Sequence, residues 1–108
     1  MPNYKYLEEI EKYGRENKIP ILLDESLEYI ENILKALTPN RILEIGTAIG
    51  FSTICFSKYL KAGGRIDTIE IESLRVEQAM ENIKKVGVED KIRVLEGDAL
   101  RSEERRVG

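Results

Sequence analysis

Gly46 and Gly50 bracket the loop Gly46-Thr47-Ala48-Ile49-Gly50, which follows the short run Arg41-Ile42-Leu43-Glu44-Ile45 and opens into Phe51-Ser52. Glycines so placed let the backbone take positive φ or lie against a ligand. A helix beginning at Phe51 would aim its unpaired N–H groups at the loop. Such a unit grips a small polar molecule. Two acidic landmarks follow. Glu70, twenty residues beyond Gly50, ends the apolar stretch Ile66-Asp67-Thr68-Ile69. A carboxylate there can accept from both hydroxyls of a ribose, and among isoleucines it would be costly to bury without a partner. Glu72 reads as solvent-exposed. Gly97-Asp98-Ala99 is a turn after a third apolar run, where an acceptor side chain or backbone amide can meet the amino group of an adenine.

The loop excludes some ligands. A dinucleotide fingerprint requires G-x-G-x-x-G, but Ala48 stands where the middle glycine would admit a pyrophosphate. A phosphate-binding P-loop requires Gly-Lys-Ser/Thr, and Gly50-Phe51-Ser52 has no lysine. A loop without phosphate character, a ribose-gripping acid and an adenine-side turn together describe a nucleoside lacking a pyrophosphate. S-adenosylmethionine is such a ligand. Two other classes stay open. A nicotinamide or flavin enzyme would want glycine at position 48, and a non-catalytic module would bind a nucleoside or only a partner chain.

Positioning these residues requires alternating strands and helices. Helical periodicity places a first helix over Asn3 to Tyr13, with Tyr6, Leu7, Ile10 and Tyr13 on one face and Gly14 as its stop. Pro20 holds a connector extended, and Asp24 caps a second helix whose apolar face is Leu27, Ile30, Ile33, Leu34 and Leu37. Pro39 ends that helix by disfavouring helical geometry at Thr38. The pattern then predicts a strand over 41–45 covered on both faces and a helix over 51–60. A second strand over 66–71, a helix over 73–86 with Val76, Ala79, Met80 and Ile83 on one apolar face and Gly87 as its cap, and a third strand over 91–95 follow. Helices between strands in this order mean parallel βαβ units in an α/β fold. Three strands make only the first half of a doubly wound domain.

Composition bounds the rest. The chain has 108 residues, 42% hydrophobic and 34% charged, with a net charge of -3. That is one soluble domain at most, without global attraction for nucleic acid. Lys84, Lys85, Lys91 and Arg93 lie close in sequence but read as a solvated helix end and strand face. There is no histidine, and Cys55 is the single cysteine, a small apolar filler. No apolar run would span a bilayer, and the start lacks the apolar core of a signal peptide, so a cytoplasmic location is expected. Residues 1–100 read as the cofactor-binding part of one domain. Residues 101–108 (Arg-Ser-Glu-Glu-Arg-Arg-Val-Gly) resemble the read-through translation of a common sequencing-adapter oligonucleotide and are expected to be non-native.

The motifs Leu43-Glu44-Ile45-Gly46-Thr47-Ala48-Ile49-Gly50-Phe51-Ser52, Ile69-Glu70-Ile71 and Glu96-Gly97-Asp98-Ala99, with Ile19-Pro20-Ile21-Leu22, resemble the class I methyltransferases. The resemblance spans Tyr4 to Leu100 and is to the catechol- and caffeoyl-CoA-type O-methyltransferases, nearest their bacterial branch, which includes tRNA 5-hydroxyuridine methyltransferase. It implies the N-terminal part of a Rossmann-like fold, two helices and then three parallel strands with crossover helices. It implies S-adenosylmethionine as cofactor, with Glu44, Gly46 and Thr47 along the methionine part, Ser52 adding a hydrogen bond, and Glu70 on the ribose. Asp98 and Ala99 would face the adenine, and Leu22 would touch the cofactor from the segment before the second helix. It implies Mg2+ activating an acceptor hydroxyl, with metal ligands beyond Leu100, so no catalytic or metal residue is assigned. The acceptor would be tRNA wobble uridine, with a small phenol as the alternative. The full-length parent is expected to be a homodimer, and the chain alone inactive, weakly binding and aggregation-prone.

Overall fold

The structure, a computed structural model, describes residues 1–98. Ala99 and residues 101–108 therefore lie outside the described residues. The elements run α1 (Tyr6–Glu16), α2 (Asp24–Leu37), β1 (Arg41–Ile45), α3 (Phe51–Ser57), β2 (Arg65–Glu70), α4 (Ser73–Val86) and β3 (Ile92–Glu96). The strands form one sheet in the order β1-β2-β3, and both pairings are parallel. The α/β class, the two leading helices and the three parallel strands are as expected. Register aligns Ile42 with Ile66 and Ile92, and Glu44 with Thr68 and Val94.

Those aligned residues share one face of the sheet, because strand side chains alternate. Ile66 and Ile92 are buried there with Ile54, Phe56, Ile83 and Val86 from α3 and α4. Apolar burial on this face is the main stabilising contribution. Burial pushes the Cys55 thiol up to about 12, so it is an inert filler as expected. Lys85 stacks over the Tyr6 ring at 4.7 Å and pairs with Glu9 at 3.3 Å. Arg93 grips Asp67 with two bonds of 3.1 Å. Half of the suspected basic cluster is thus engaged within the chain.

Several expectations are corrected. β1 is not covered on both faces. Ile42 and Glu44 face the helices, whereas Leu43 and Ile45 are 54% and 61% exposed on the opposite side. Among the described residues β1 pairs only with β2 and has one helical layer against it. Gly14 does not stop α1. It is buried inside the helix, where an added Cβ would stand 2.0 Å from Cδ1 of Ile21. The helix ends three residues later than expected, and Lys18 takes a φ of 55°. Asp24 starts α2 without capping it and instead pairs with Arg15 at 3.2 Å. Ile33, Leu37 and Met80, expected on buried faces, are exposed. α3 stops at Ser57 because Lys58, Tyr59 and Leu60 bond the carbonyls three residues back, a tighter turn. β2 and β3 are each displaced by one residue from their expected bounds, an ordinary error at strand ends. α4 and its left-handed cap at Gly87 are as expected. No helix among the described residues is long and apolar enough to cross a membrane.

Candidate cofactor site

Parallel pairing puts the loops after β1, β2 and β3 at the same edge of the sheet, where α/β folds place ligands. Backbone bonds stitch these loops together. The Gly46 N–H donates to the Ile69 carbonyl at 2.8 Å, and the Gly97 N–H donates to the Glu70 carbonyl at 2.8 Å. Gly46 and Gly50 have φ of 89° and 87°, the left-handed conformation that the sequence anticipates for this loop. The Asn82 side chain donates to the Ile49 carbonyl at 2.9 Å and ties the loop to α4.

Glu70 is the acid beneath the loop. It is 8% exposed, and its two oxygens accept from the Ala48 N–H at 2.8 Å and the Glu72 N–H at 3.1 Å. A carboxylate offers about four lone-pair directions, so each oxygen keeps acceptor capacity beyond its one backbone bond.

Glu44 lies on the same face of the sheet, farther back, opposite Thr68. Its Oε2 accepts from Ser52 Oγ at 2.8 Å. Its Oε1 accepts from Thr68 Oγ1 at 2.8 Å and from Thr53 Oγ1. Thr68 also meets Thr47 Oγ1 at 2.6 Å. Burial raises the Glu44 pKa above its ordinary value, and the three hydroxyl bonds pull against that rise.

A cleft of about 390 Å³ opens between the glycine loop and the connector ahead of α2. Leu22, Gly46, Thr47, Ala48, Phe51 and Ser52 are among its lining residues, with Pro20 to Leu23 as the facing wall. Its size and mixed lining suit a small organic ligand.

The structure thus brings together Leu22, Gly46, Thr47 and Ser52 in one cleft. Glu44 lies behind Ser52 and is not among the cleft-lining residues, and Glu70 reaches the loop through Ala48. Asp98 is half-buried just past β3, and Ala99 lies outside the described residues. Sequence reading passed over Thr53, Thr68 and the Ala48 N–H. Thr53 stands directly after Ser52 at the start of α3, a readable signal. Thr68 gave none, since only the register sets it opposite Glu44.

The O-methyltransferase family profile matches residues 3–107. The chain belongs to the O-methyltransferase family. Among its relatives, the tapetum-specific methyltransferase 1 of Arabidopsis thaliana is 32% identical over 92 residues, 85% of this chain and 39% of that protein. The catechol O-methyltransferase of Mycobacterium tuberculosis is 40% identical over 65 residues, 60% of this chain and 30% of that one. The solved O-methyltransferase of Bacillus cereus, in complex with SAH, superposes with a TM-score of 0.83 at 28% identity, covering 97% of this chain and 49% of that one. TomG of Streptomyces achromogenes, an O-methyltransferase involved in tomaymycin synthesis and solved with SAM, gives a TM-score of 0.77 at 29% identity, covering 88% and 44%. The chain spans about two fifths of the length of the tapetum-specific relative.

The residues present fit a nucleoside cofactor of this kind. A buried carboxylate with unused acceptor directions sits under a positive-φ loop beside a largely apolar cleft. Among the described residues no group of three or more His, Cys, Asp or Glu side chains could hold a metal ion.

Proposed function

We propose that this chain is the cofactor-holding part of an S-adenosylmethionine-dependent O-methyltransferase acting on a small phenolic acceptor. The observation carrying this reading is the Ala48 N–H bonded to the Glu70 carboxylate at the edge where the cleft opens. That bond makes one rigid unit of the phosphate-free loop and the ribose acid. Gly46, Thr47 and Ser52 would flank the methionine part, with Glu44 behind Ser52. Glu70 would accept from the ribose hydroxyls, Asp98 and Ala99 would face the adenine, and Leu22 would close the cleft from the opposite wall. S-adenosylmethionine, when bound, supplies a methyl group made electrophilic by its sulfonium. The chain's part is orientation: the glycine loop and Leu22 hold the cofactor's flexible half in one conformation and exclude water from it.

The relative named for catechol favours a small phenol as acceptor. tRNA as acceptor has no such support among the relatives named here, and a net charge of -3 supplies no attraction for RNA. Dependence of the whole enzyme on Mg2+, and its homodimeric state, belong to the same proposal and rest on the resemblance alone.

The test is a thermal-shift comparison of S-adenosylhomocysteine, adenosine and NAD on the purified chain. Stabilisation by the first, less by adenosine and none by NAD is expected. Stabilisation by NAD alone would overturn the reading in favour of a dinucleotide enzyme.

A further inference from the structure

The glycine loop is held from two sides. The Gly50 N–H closes a turn on the Thr47 carbonyl at 2.9 Å, with Ala48 at a φ of 50° in its first central position. A left-handed alanine there is not what the local chain favours, so the turn depends on outside support. Glu70 fixes one peptide of the turn through the Ala48 N–H. The peptide between Ile49 and Gly50 is fixed from α4, where the Asn82 side chain donates to the Ile49 carbonyl at 2.9 Å. Glycine accepts backbone angles of either hand, so without that donor this peptide can turn over at little steric cost. Ala79, three residues before Asn82 on the same helix face, is fully buried and packs under Gly50. Asparagine is a poor residue for a helix interior, because its amide competes for backbone groups. In α4 that amide is spent on the loop. Ile49 belongs to the cleft wall, whereas Asn82 lines a separate groove between α1 and α4. Asn82 thus meets the loop from behind.

We propose that Asn82 is a positioning residue for cofactor binding, which latches the 49–50 peptide in the orientation the cleft requires without touching the ligand. This rests on the cleft being the cofactor site. Loss of the donor divides the loop between latched and turned-over forms. Only the latched form binds, so the apparent affinity falls with the fraction of chains that keep it. A ligand already bound holds the loop itself, so its rate of leaving is unchanged.

The experiment follows S-adenosylhomocysteine binding to the full chain by surface plasmon resonance, in the wild type, Asn82→Leu and Asn82→Asp. Asn82→Leu keeps the bulk and removes the donor. Its association rate should fall by about three- to tenfold, the worth of one hydrogen bond, with the dissociation rate unchanged. Asn82→Asp cannot donate while ionised and regains a donor once protonated. Its association rate should therefore climb toward the wild-type value as the pH is lowered from mildly alkaline to mildly acidic. Glu9, Tyr13, Glu81 and Lys85 line the same groove and remain in Asn82→Leu, which corrects for their titration. Unchanged association in a folded Asn82→Leu, a loss confined to the dissociation rate, or an Asp variant that follows the Leu variant at every pH overturns the proposal. Circular dichroism reports whether each variant folds. If Asn82→Leu does not, the pH response of Asn82→Asp against the wild type decides alone. A wild-type chain that binds no S-adenosylhomocysteine is a different result and sinks the cofactor reading itself.

Discussion

The Ala48 N–H donates to Oε1 of Glu70 at 2.8 Å, so the loop after β1 hangs on a side chain at the end of β2. Glu70 is buried and Ala48 half-buried, and Ala48 itself holds a φ of 50°, uncommon for a residue with a side chain. The carboxylate therefore shapes the loop, in addition to the ribose contact proposed for it. Glu70→Ala would leave the Ala48 N–H without its acceptor. We expect a loss of about 1–3 kcal/mol in stability, with adenosine binding abolished. Glu70→Gln keeps one acceptor and should fall between the two. Urea unfolding with adenosine titration measures both, and an unchanged unfolding midpoint in Glu70→Ala would remove the loop-shaping role.

Glu44 carries a pH signature of known sign. Burial, the largest influence, raises its folded pKa, so the fold favours the protonated form. Its contribution to stability is thus fully present below the unfolded carboxylate pKa and is lost as pH rises through the folded value. The stability of the wild type relative to Glu44→Gln should be greatest in acid and decline toward neutrality. Paired urea titrations across that range test the slope. A difference that grows with pH would mean that the three hydroxyl bonds outweigh burial.

Gly50 has a φ of 87°, and an added Cβ would touch the Cβ of Ala79 at 3.4 Å. The contact is tolerable but the backbone conformation is not. Gly50→Ala should cost about 1–2 kcal/mol, the penalty of a left-handed residue bearing a side chain. It should also loosen the start of α3, where the Ile54 N–H bonds the Gly50 carbonyl. Thermal melts followed by circular dichroism would register the loss.

Leu43 and Ile45 leave an apolar stripe on the open face of β1, next to a strand edge. Such surfaces drive association. Replacing both with threonine should change stability by less than about 0.5 kcal/mol while shifting sedimentation toward monomer. Unfolding that begins at much lower denaturant in the double variant would show that the stripe is buried in solution.

The sequence alone determined the α/β class, the order of elements and the positions of the loop glycines. These follow from local rules. Hydrophobic periodicity separates helix from strand, and Gly46, Gly50 and Gly87 mark points where the backbone must reverse hand. The expectation that an acid at position 70 sits near the loop was also legible, because parallel strands deliver their ends to one edge.

What only the tertiary structure decided concerns partners distant in the chain. The 44–68 register and the packing of α3 bring two unremarked hydroxyls, Thr53 and Thr68, onto one carboxylate, and no spacing rule links residues 44, 53 and 68. Gly14 looked like a helix stop because its reason, the approach of Ile21, lies across a connector. The exposure of Leu43 and Ile45 was hidden for a similar cause. An apolar run states what a strand can bury, while the layers packed against it decide what it does bury.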